Sequence, residues 1–366
     1  MVNEDWDREK MGELRGELLR WYAANQRDLP WRRRGDPYAI WVSEIMLQQT
    51  RVAVVVERYQ AFLARFPTLG SLAKAQVEDV LALWSGLGYY RRARMLHKAA
   101  QVVMEQFEGT MPITAQELRL LPGIGAYTAA AIASIAHGEA VAVVDGNVER
   151  VLCRLAGWEA VGREGGAFFR RKIEGLAARL VDPAQPGDFN QAMMELGATV
   201  CLPRNPQCLV CPLAADCKTR GEHKTVPRPP MESREVAYAL CLRDGRKQRG
   251  RVRREVLLEK RAASLTVMPG LWELPALLDA HVPEQELRMI VRHAIMQVNY
   301  SVRILAVAEH AVATLTVPGD ERRWIPLSEA GGMALTGLAR KVLKRAALLS
   351  TETDEAIVRQ SMPALL

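Results

Sequence analysis

No run of about 20 consecutive apolar residues occurs in this chain of 366 residues, so the sequence predicts no membrane-spanning helix. Its first ten residues, Met1 to Lys10, are charged and lack an apolar core. No signal peptide is therefore expected, and the protein is expected inside the cell, in the cytoplasm. Disulfides are not the expected use of cysteine in that compartment, although there are six. No internal repeat is present. An acidic surplus is missing too: 49 Lys and Arg outnumber 42 Asp and Glu, a net charge of +7, which permits a polyanionic partner without requiring one. The length predicts two domains or three, and a hydrophobic content of 49% suffices for packed cores.

What is present centres on Leu121-Pro-Gly-Ile-Gly-Ala-Tyr127, followed by an alanine-rich helix from Thr128 to His137. Gly123 and Gly125 permit positive φ and close backbone approach. A helix starting just after them points unpaired N–H groups outward and forms an anion site.

Helices are expected at 11–25, 38–50, 52–66, 71–83, 91–106, 115–120, 165–180 and 189–201. In the helix of residues 38–50, Glu44 sits among Ile40, Trp41 and Leu47, and a carboxylate there needs a partner or a task. A surface glutamate with a satisfied hydrogen bond is the plainer alternative. Gly86-Leu-Gly-Tyr-Tyr-Arg-Arg-Ala-Arg joins two helices and offers tyrosines for stacking and arginines for phosphate. Asp145 ends the apolar run Val141–Val144 just before a helix, where it also reads as a cap.

Cys201, Cys208, Cys211 and Cys217 are separated by six, two and five residues. Four thiolates so close in sequence suit one metal centre, either zinc or a cubane iron–sulfur cluster. Cys153 and Cys241 lie apart and read as buried thiols. A basic, proline-rich linker is expected at 226–233. Beyond it, strands are expected at 236–242, 255–260, 289–298, 302–307, 311–317 and 323–325, with a basic loop at 243–254 and helices at 283–290 and 337–349. The domain reading is an all-α region at 1–225, a small α+β domain at 234–350 and a mobile tail at 351–366.

Together, Trp41-Val-Ser-Glu-Ile-Met-Leu-Gln-Gln-Thr-Arg-Val, Trp84-Ser-Gly-Leu-Gly-Tyr-Tyr, the Leu-Pro-Gly-Ile-Gly loop, Val144-Asp-Gly-Asn-Val-Glu-Arg-Val and the four cysteines resemble the adenine DNA glycosylase family, the MutY type. It belongs to the helix–hairpin–helix glycosylase superfamily. The resemblance covers roughly residues 10–220. Gly270-Leu-Trp-Glu-Leu-Pro, Trp324-Ile-Pro-Leu and Lys341 extend it more loosely.

It implies an all-α helix–hairpin–helix glycosylase domain with an iron–sulfur loop, followed by a Nudix-like α+β domain that reads 8-oxoguanine. It implies a [4Fe-4S] cluster on Cys201, Cys208, Cys211 and Cys217, with Arg204 and Lys218 of that loop near phosphate. The partner implied is double-stranded DNA with an adenine mispair, and the protein is expected to be a monomer. The reaction implied is hydrolysis of the N-glycosidic bond of adenine opposite 8-oxoguanine or guanine, on a base flipped from the stack. Glu44 would be the general acid and Asp145 the stabiliser of the sugar cation, with Tyr127 and Asn147 orienting them. Arg32 and Gln191 would contact the flipped adenine. Gln49 and Tyr89 would fill the gap in the duplex, with Thr50 and Leu87 near the opposite base. Gly123 and Gly125 would grip a phosphate.

Three departures qualify this. Endonuclease III-type relatives have a lysine nucleophile where Tyr127 stands, so a monofunctional enzyme is expected. Ala276 breaks the carboxylate pattern of a Nudix hydrolase, so no nucleotide hydrolysis is expected. Ile295-Met296-Gln297 stands where the family has a phenylalanine, a hydroxyl residue and a histidine, which leaves preference for 8-oxoguanine open. A related glycosylase acting on thymine opposite guanine, or a damage sensor without catalysis, is the alternative.

Overall fold

The computed structural model describes residues 6–33, 35–159, 166–223, 230–248, 251–280, 284–295, 297–319 and 321–349. Residues 226–229 of the expected linker, Met296 and the tail beyond Leu349 lie outside the described residues. In chain order the helices of the first part are α1 (Arg8–Asn25), α2 (Pro37–Leu47), α3 (Val52–Arg65), α4 (Leu69–Ala73), α5 (Val77–Leu83) and α6 (Arg91–Gln106). Then come α7 (Ala115–Leu118), α8 (Ala126–His137), α9 (Gly146–Ala156), α10 (Gly166–Leu180) and α11 (Pro186–Thr199). Among the described residues no helix is long and apolar enough to cross a membrane.

The chain divides into two compact units, one of Met1–Gln49 with Lys98–Arg228 and one of Thr50–His97 with Pro229–Leu366. Residues 50–97, read from the sequence as part of the all-α region, fall in the second unit. Tyr90 Oη donates to the carbonyl of Leu335 (2.9 Å), and Arg94 Nη2 donates to that of Pro269 (2.7 Å).

In the first unit, α1, α9, α10 and α11 close on a core of Leu14, Leu18, Leu152, Leu176, Met193 and Leu196. Alanines in α8 let neighbouring helices approach. Two glycines of α11 do the same. A Cβ on Gly187 would lie 2.8 Å from the Ser134 carbonyl oxygen, and one on Gly197 would lie 2.6 Å from Asn147 Cβ.

The second unit continues with β1 (Glu232–Leu240), β2 (Leu242–Gln248), β3 (Arg251–Lys260), β4 (Trp272–Glu273), β5 (Leu287–Ile295) and β6 (Val298–Ala306). After these come α12 (Val312–Leu315), β7 (Arg322–Pro326), α13 (Leu327–Ala330) and α14 (Gly337–Arg345). One sheet has the order β1-β6-β5, with β1 parallel to β6; the other pairs β3 with β2, β4 and β7, all antiparallel. Val256, Leu258, Val291, Val302, Ile304, Val342 and Leu343 fill the core.

Five expectations change. The basic loop at 243–254 is mostly strand, because β2 and β3 form a hairpin through it. β1 begins at Glu232, inside the expected linker. Of the strand expected at 311–317, residues 312–315 form the short helix α12 instead, and 284–290 carry one short turn before β5 begins at Leu287. The helix at 71–83 is two helices, α4 and α5.

Candidate active site

α2 begins with a strong signal: Asp36 caps it, its carboxylate accepting from the Tyr38 and Ala39 N–H groups, and Pro37 occupies the first turn. The helix is then buried from Tyr38 to Met46, so Glu44, 5% exposed, is not a surface residue. Its carboxyl accepts a hydrogen bond from Tyr127 Oη at 2.8 Å. Burial raises the Glu44 carboxyl to about 7, the Tyr127 hydrogen bond and Arg32 opposing this and the Asp145 charge adding to it. Burial, Glu44 and Asp145 hold the Tyr127 hydroxyl well above its ordinary value, so it remains a donor. The hydroxyl also lies 3.3 Å from Met194 Sδ.

Asp145 caps α9. Its Oδ1 accepts from the N–H groups of Asn147 (2.9 Å) and Val148 (2.7 Å), and its Oδ2 accepts from Asn147 Nδ2 (2.9 Å). The cap reading of the sequence is therefore correct, and it leaves the carboxylate near enough to Glu44 to act on its charge. Arg150 Nη2 donates to Asn147 Oδ1 (2.8 Å) and to the Gly197 carbonyl (2.7 Å), while its Nε donates to the Cys201 carbonyl (2.8 Å). These bonds fix which way the Asn147 amide points. Upstream, buried Asn190 of α11 holds the segment leading to Asp145: its Oδ1 accepts from Val143 N–H, and its Nδ2 donates to Val141 O and Ser134 Oγ.

Arg32 is anchored by Glu195 of α11. Its Nη2 donates to Glu195 Oε2 (2.8 Å), and Arg27 bonds both oxygens of the same carboxylate. Burial alone would raise the Glu195 carboxyl, but the two guanidiniums hold it down at about 2. This stability is present above about 4.5 and is lost as pH falls toward 2. Glu195→Gln is expected to cost about 3 kcal/mol in urea unfolding near neutral pH, since it leaves Arg32 uncompensated; a loss below about 1 kcal/mol would mean that both arginines reach solvent instead. Gln191, on the same helix, is half-buried.

Gly123 has φ of 79°, the left-handed turn that requires glycine, and Gly125 caps α8 without a side chain. Gln49 is exposed with φ of 56°. In the second unit, Tyr89 is exposed with φ of 45°. Both are non-glycine residues in a strained region that favours functional positions. Thr50 Oγ1 contacts the Leu87 carbonyl at 3.3 Å, and Arg92 Nη2 donates to both Thr50 Oγ1 and Leu87 O. The Leu87 side chain itself is buried.

Cys201, Cys208, Cys211 and Cys217 line one cavity with Arg154 and Arg220. Arg154 Nη1 donates to Cys201 Sγ (3.4 Å). Burial pushes the Cys211 thiol up to about 11, and the other three cysteines add to it. Among the described residues no three His, Cys, Asp or Glu side chains close round a single ion.

Sequence reading missed Asn190, Met194, Glu195, Gly197 and Arg150. Four of them lie on α11, where Asn190, Met194 and Gly197, at spacings of four and three, mark one helical face and Glu195 lies off it, but nothing in the sequence says what either meets.

Residues 42–167 match the HhH-GPD superfamily of base excision DNA repair proteins. The chain is 53% identical over 217 residues to the adenine DNA glycosylase of Homo sapiens, covering 57% of this chain and 39% of that protein. It is 39% identical over 306 residues to that of Arabidopsis thaliana, covering 73% and 48%. With that of Buchnera aphidicola subsp. Schizaphis graminum it shares 37% over 224 residues, covering 60% and 63%. The chain thus spans between 39% and 63% of the length of these relatives. A solved thermostable thymine-DNA glycosylase superposes with a TM-score of 0.52 at 29% identity, covering 58% of this chain and 97% of that one.

Proposed function

From a chain that carries an HhH-GPD base excision repair domain over residues 42–167, we propose a monofunctional glycosylase that hydrolyses the N-glycosidic bond of adenine mispaired with 8-oxoguanine or guanine in double-stranded DNA. One observation supports it above the rest: a buried Glu44 with its carboxyl near 7, bonded to Tyr127 and influenced by Asp145.

Glu44 protonates adenine at N7. The C1′–N9 bond then breaks, its electron pair leaving with the base. The Asp145 carboxylate faces the resulting oxocarbenium-like sugar and stabilises it. Water adds at C1′ and returns a proton to Glu44. Unlike environments thus give two carboxyl groups unlike roles. With Tyr127 in place of an amine nucleophile, no Schiff base forms and strand cleavage is not coupled. Asn147 aims Asp145, while Arg32 and Gln191 contact the flipped base. Gly123 and Gly125 bind phosphate, Gln49 and Tyr89 fill the gap, and Thr50 and the Leu87 backbone lie toward the opposite base.

Residues 1–225 supply the chemistry in this reading, and 234–350 form a Nudix-like region that reads the opposite base without hydrolysing nucleotides. The four thiols that line the cavity fit a [4Fe-4S] cluster held by Cys201, Cys208, Cys211 and Cys217. When bound, the cluster supplies a rigid loop that presents Arg204 and Lys218 to phosphate. Purified protein is expected to absorb near about 400 nm and to carry iron and acid-labile sulfide in equal amounts; zinc with no such band would replace the cluster by a structural ion.

The testing experiment is single-turnover base release from duplexes with adenine opposite 8-oxoguanine, adenine opposite guanine and thymine opposite guanine. Adenine release supports the reading. Thymine release alone would move the assignment to the specificity named for the superposed structure. No release from any duplex would leave a damage sensor.

A further inference from the structure

Ser85, Tyr90 and Arg340 meet in the interior of the second unit, all three buried. Arg340, in α14, donates from Nε to Ser85 Oγ (2.6 Å) and from Nη2 to the carbonyls of Gly331 (3.0 Å) and Met333 (3.2 Å). Tyr90 Oη donates to the carbonyl of Leu335. Residues 331–335 and the start of α14 therefore grip both ends of a single short loop, Gly86-Leu-Gly-Tyr89.

That loop is costly to hold. Gly86, Gly88 and Tyr89 have φ of 97°, 69° and 45°. For Tyr89 this conformation is strained and persists only where the surroundings over-determine it. Trp84 Nε1 and Arg92 Nη2 fasten the Gly88 carbonyl from within the helical segment. Arg340 acts from the other side. Burying a guanidinium is expensive, and a methionine would fill the space without that cost. What methionine cannot do is direct donors at a hydroxyl and two carbonyls at once.

We infer that Arg340 is a positioning residue for opposite-base selectivity: through Ser85 it sets the geometry of the Gly86–Tyr89 loop. The inference rests on the proposed reading that this loop lies toward the base opposite adenine. It gives the C-terminal region a route to selectivity that does not need contact with that base, and so does not depend on Ile295, Met296 or Gln297.

The test uses the full chain and the variants Arg340→Met, Arg340→Lys, Ser85→Ala and the double variant Arg340→Met/Ser85→Ala. Two quantities are read: the ratio of adenine release opposite 8-oxoguanine to that opposite guanine, and amide hydrogen exchange across residues 84–90. Arg340→Met and Ser85→Ala are each expected to move the ratio toward one by about tenfold and to speed exchange in the loop; the double variant is expected to go no further, and lysine to restore part of the effect. An unchanged ratio and unchanged loop exchange, with only a lower Tm, would overturn the inference. Should Arg340→Met fail to fold, Ser85→Ala, which removes one hydroxyl, carries the test. A wild-type chain that releases no adenine, or releases it equally from both duplexes, counts against the assigned reaction or lesion preference, and loop exchange alone then decides on the latch.

Discussion

Glu44→Gln is expected to lower single-turnover adenine release by about 10²–10⁴-fold, the usual worth of a positioned general acid. Glutamine keeps the shape of the side chain and can still accept from Tyr127, but it has no proton to transfer. The wild-type rate should be level below pH 7 and fall about tenfold per pH unit above it, because the acid must be protonated and its carboxyl stands near 7. Tyr127→Phe removes a hydrogen bond that pulls this carboxyl down, so the falling limb should move to higher pH. The same raised value has a stability consequence of known sign. Between about 4.5 and 7 the folded chain holds a proton that the unfolded chain has lost, so the neutral, buried carboxyl costs folding nothing at low pH and about 3 kcal/mol once pH exceeds 7. Glu44→Gln should therefore gain about that much relative to wild type between pH 4 and pH 8, while losing its activity. A variant inactive at every pH but without this relative gain would show that Glu44 was already ionised in the fold. A variant that keeps its activity would remove Glu44 from the mechanism.

The residues that carry this argument were legible in the sequence for different reasons. Gly123 declares itself because a left-handed turn favours glycine, and Gly125 is visible as the residue just before a helix start. Asp145 was visible as a cap because the apolar run Val141–Val144 ends on it. Glu44 was visible as a charge among apolar neighbours, yet its burial on all sides was not, since that depends on which helices surround α2. Glu195 and Asn190 show the limit most clearly. Both look like ordinary polar residues of an amphipathic helix, and both are buried because partners 168 and 47 residues away in sequence, Arg27 and Val143, reach them. The second half was harder. In the β2–β3 hairpin, arginines and lysines interrupt the apolar alternation, so the strand signal disappears into what reads as a basic loop. Val312 and Thr314 favour strand by propensity, and tertiary context turned them helical. The placement of residues 50–97 with the C-terminal region follows from pairs such as Arg340 with Ser85, which no local pattern announces.

Asp145→Asn and Asp145→Ala together separate the helix cap from the catalytic role proposed for this carboxylate. Asparagine caps helices about as well as aspartate, whereas alanine loses about 1 kcal/mol or more at such a position. The cap bonds to the Asn147 and Val148 N–H groups can survive in Asp145→Asn. One bond cannot. Asp145 Oδ2 accepts from Asn147 Nδ2, and Arg150 Nη2 holds Asn147 Oδ1 turned the other way, so a new amide NH₂ would face the Asn147 NH₂. The expected stability loss is therefore about 1 kcal/mol, from one unmade bond in a half-buried site. Activity should fall far more, by about 10²–10³-fold or beyond, since the negative charge that meets the sugar cation is gone. If Asp145 were only a cap, asparagine would keep most of the adenine release and alanine would lose it in step with its lower Tm. If Asp145 answers the developing cation, both variants should be equally inactive while asparagine remains the more stable, and it is this divergence between rate and Tm that assigns the charge a chemical role.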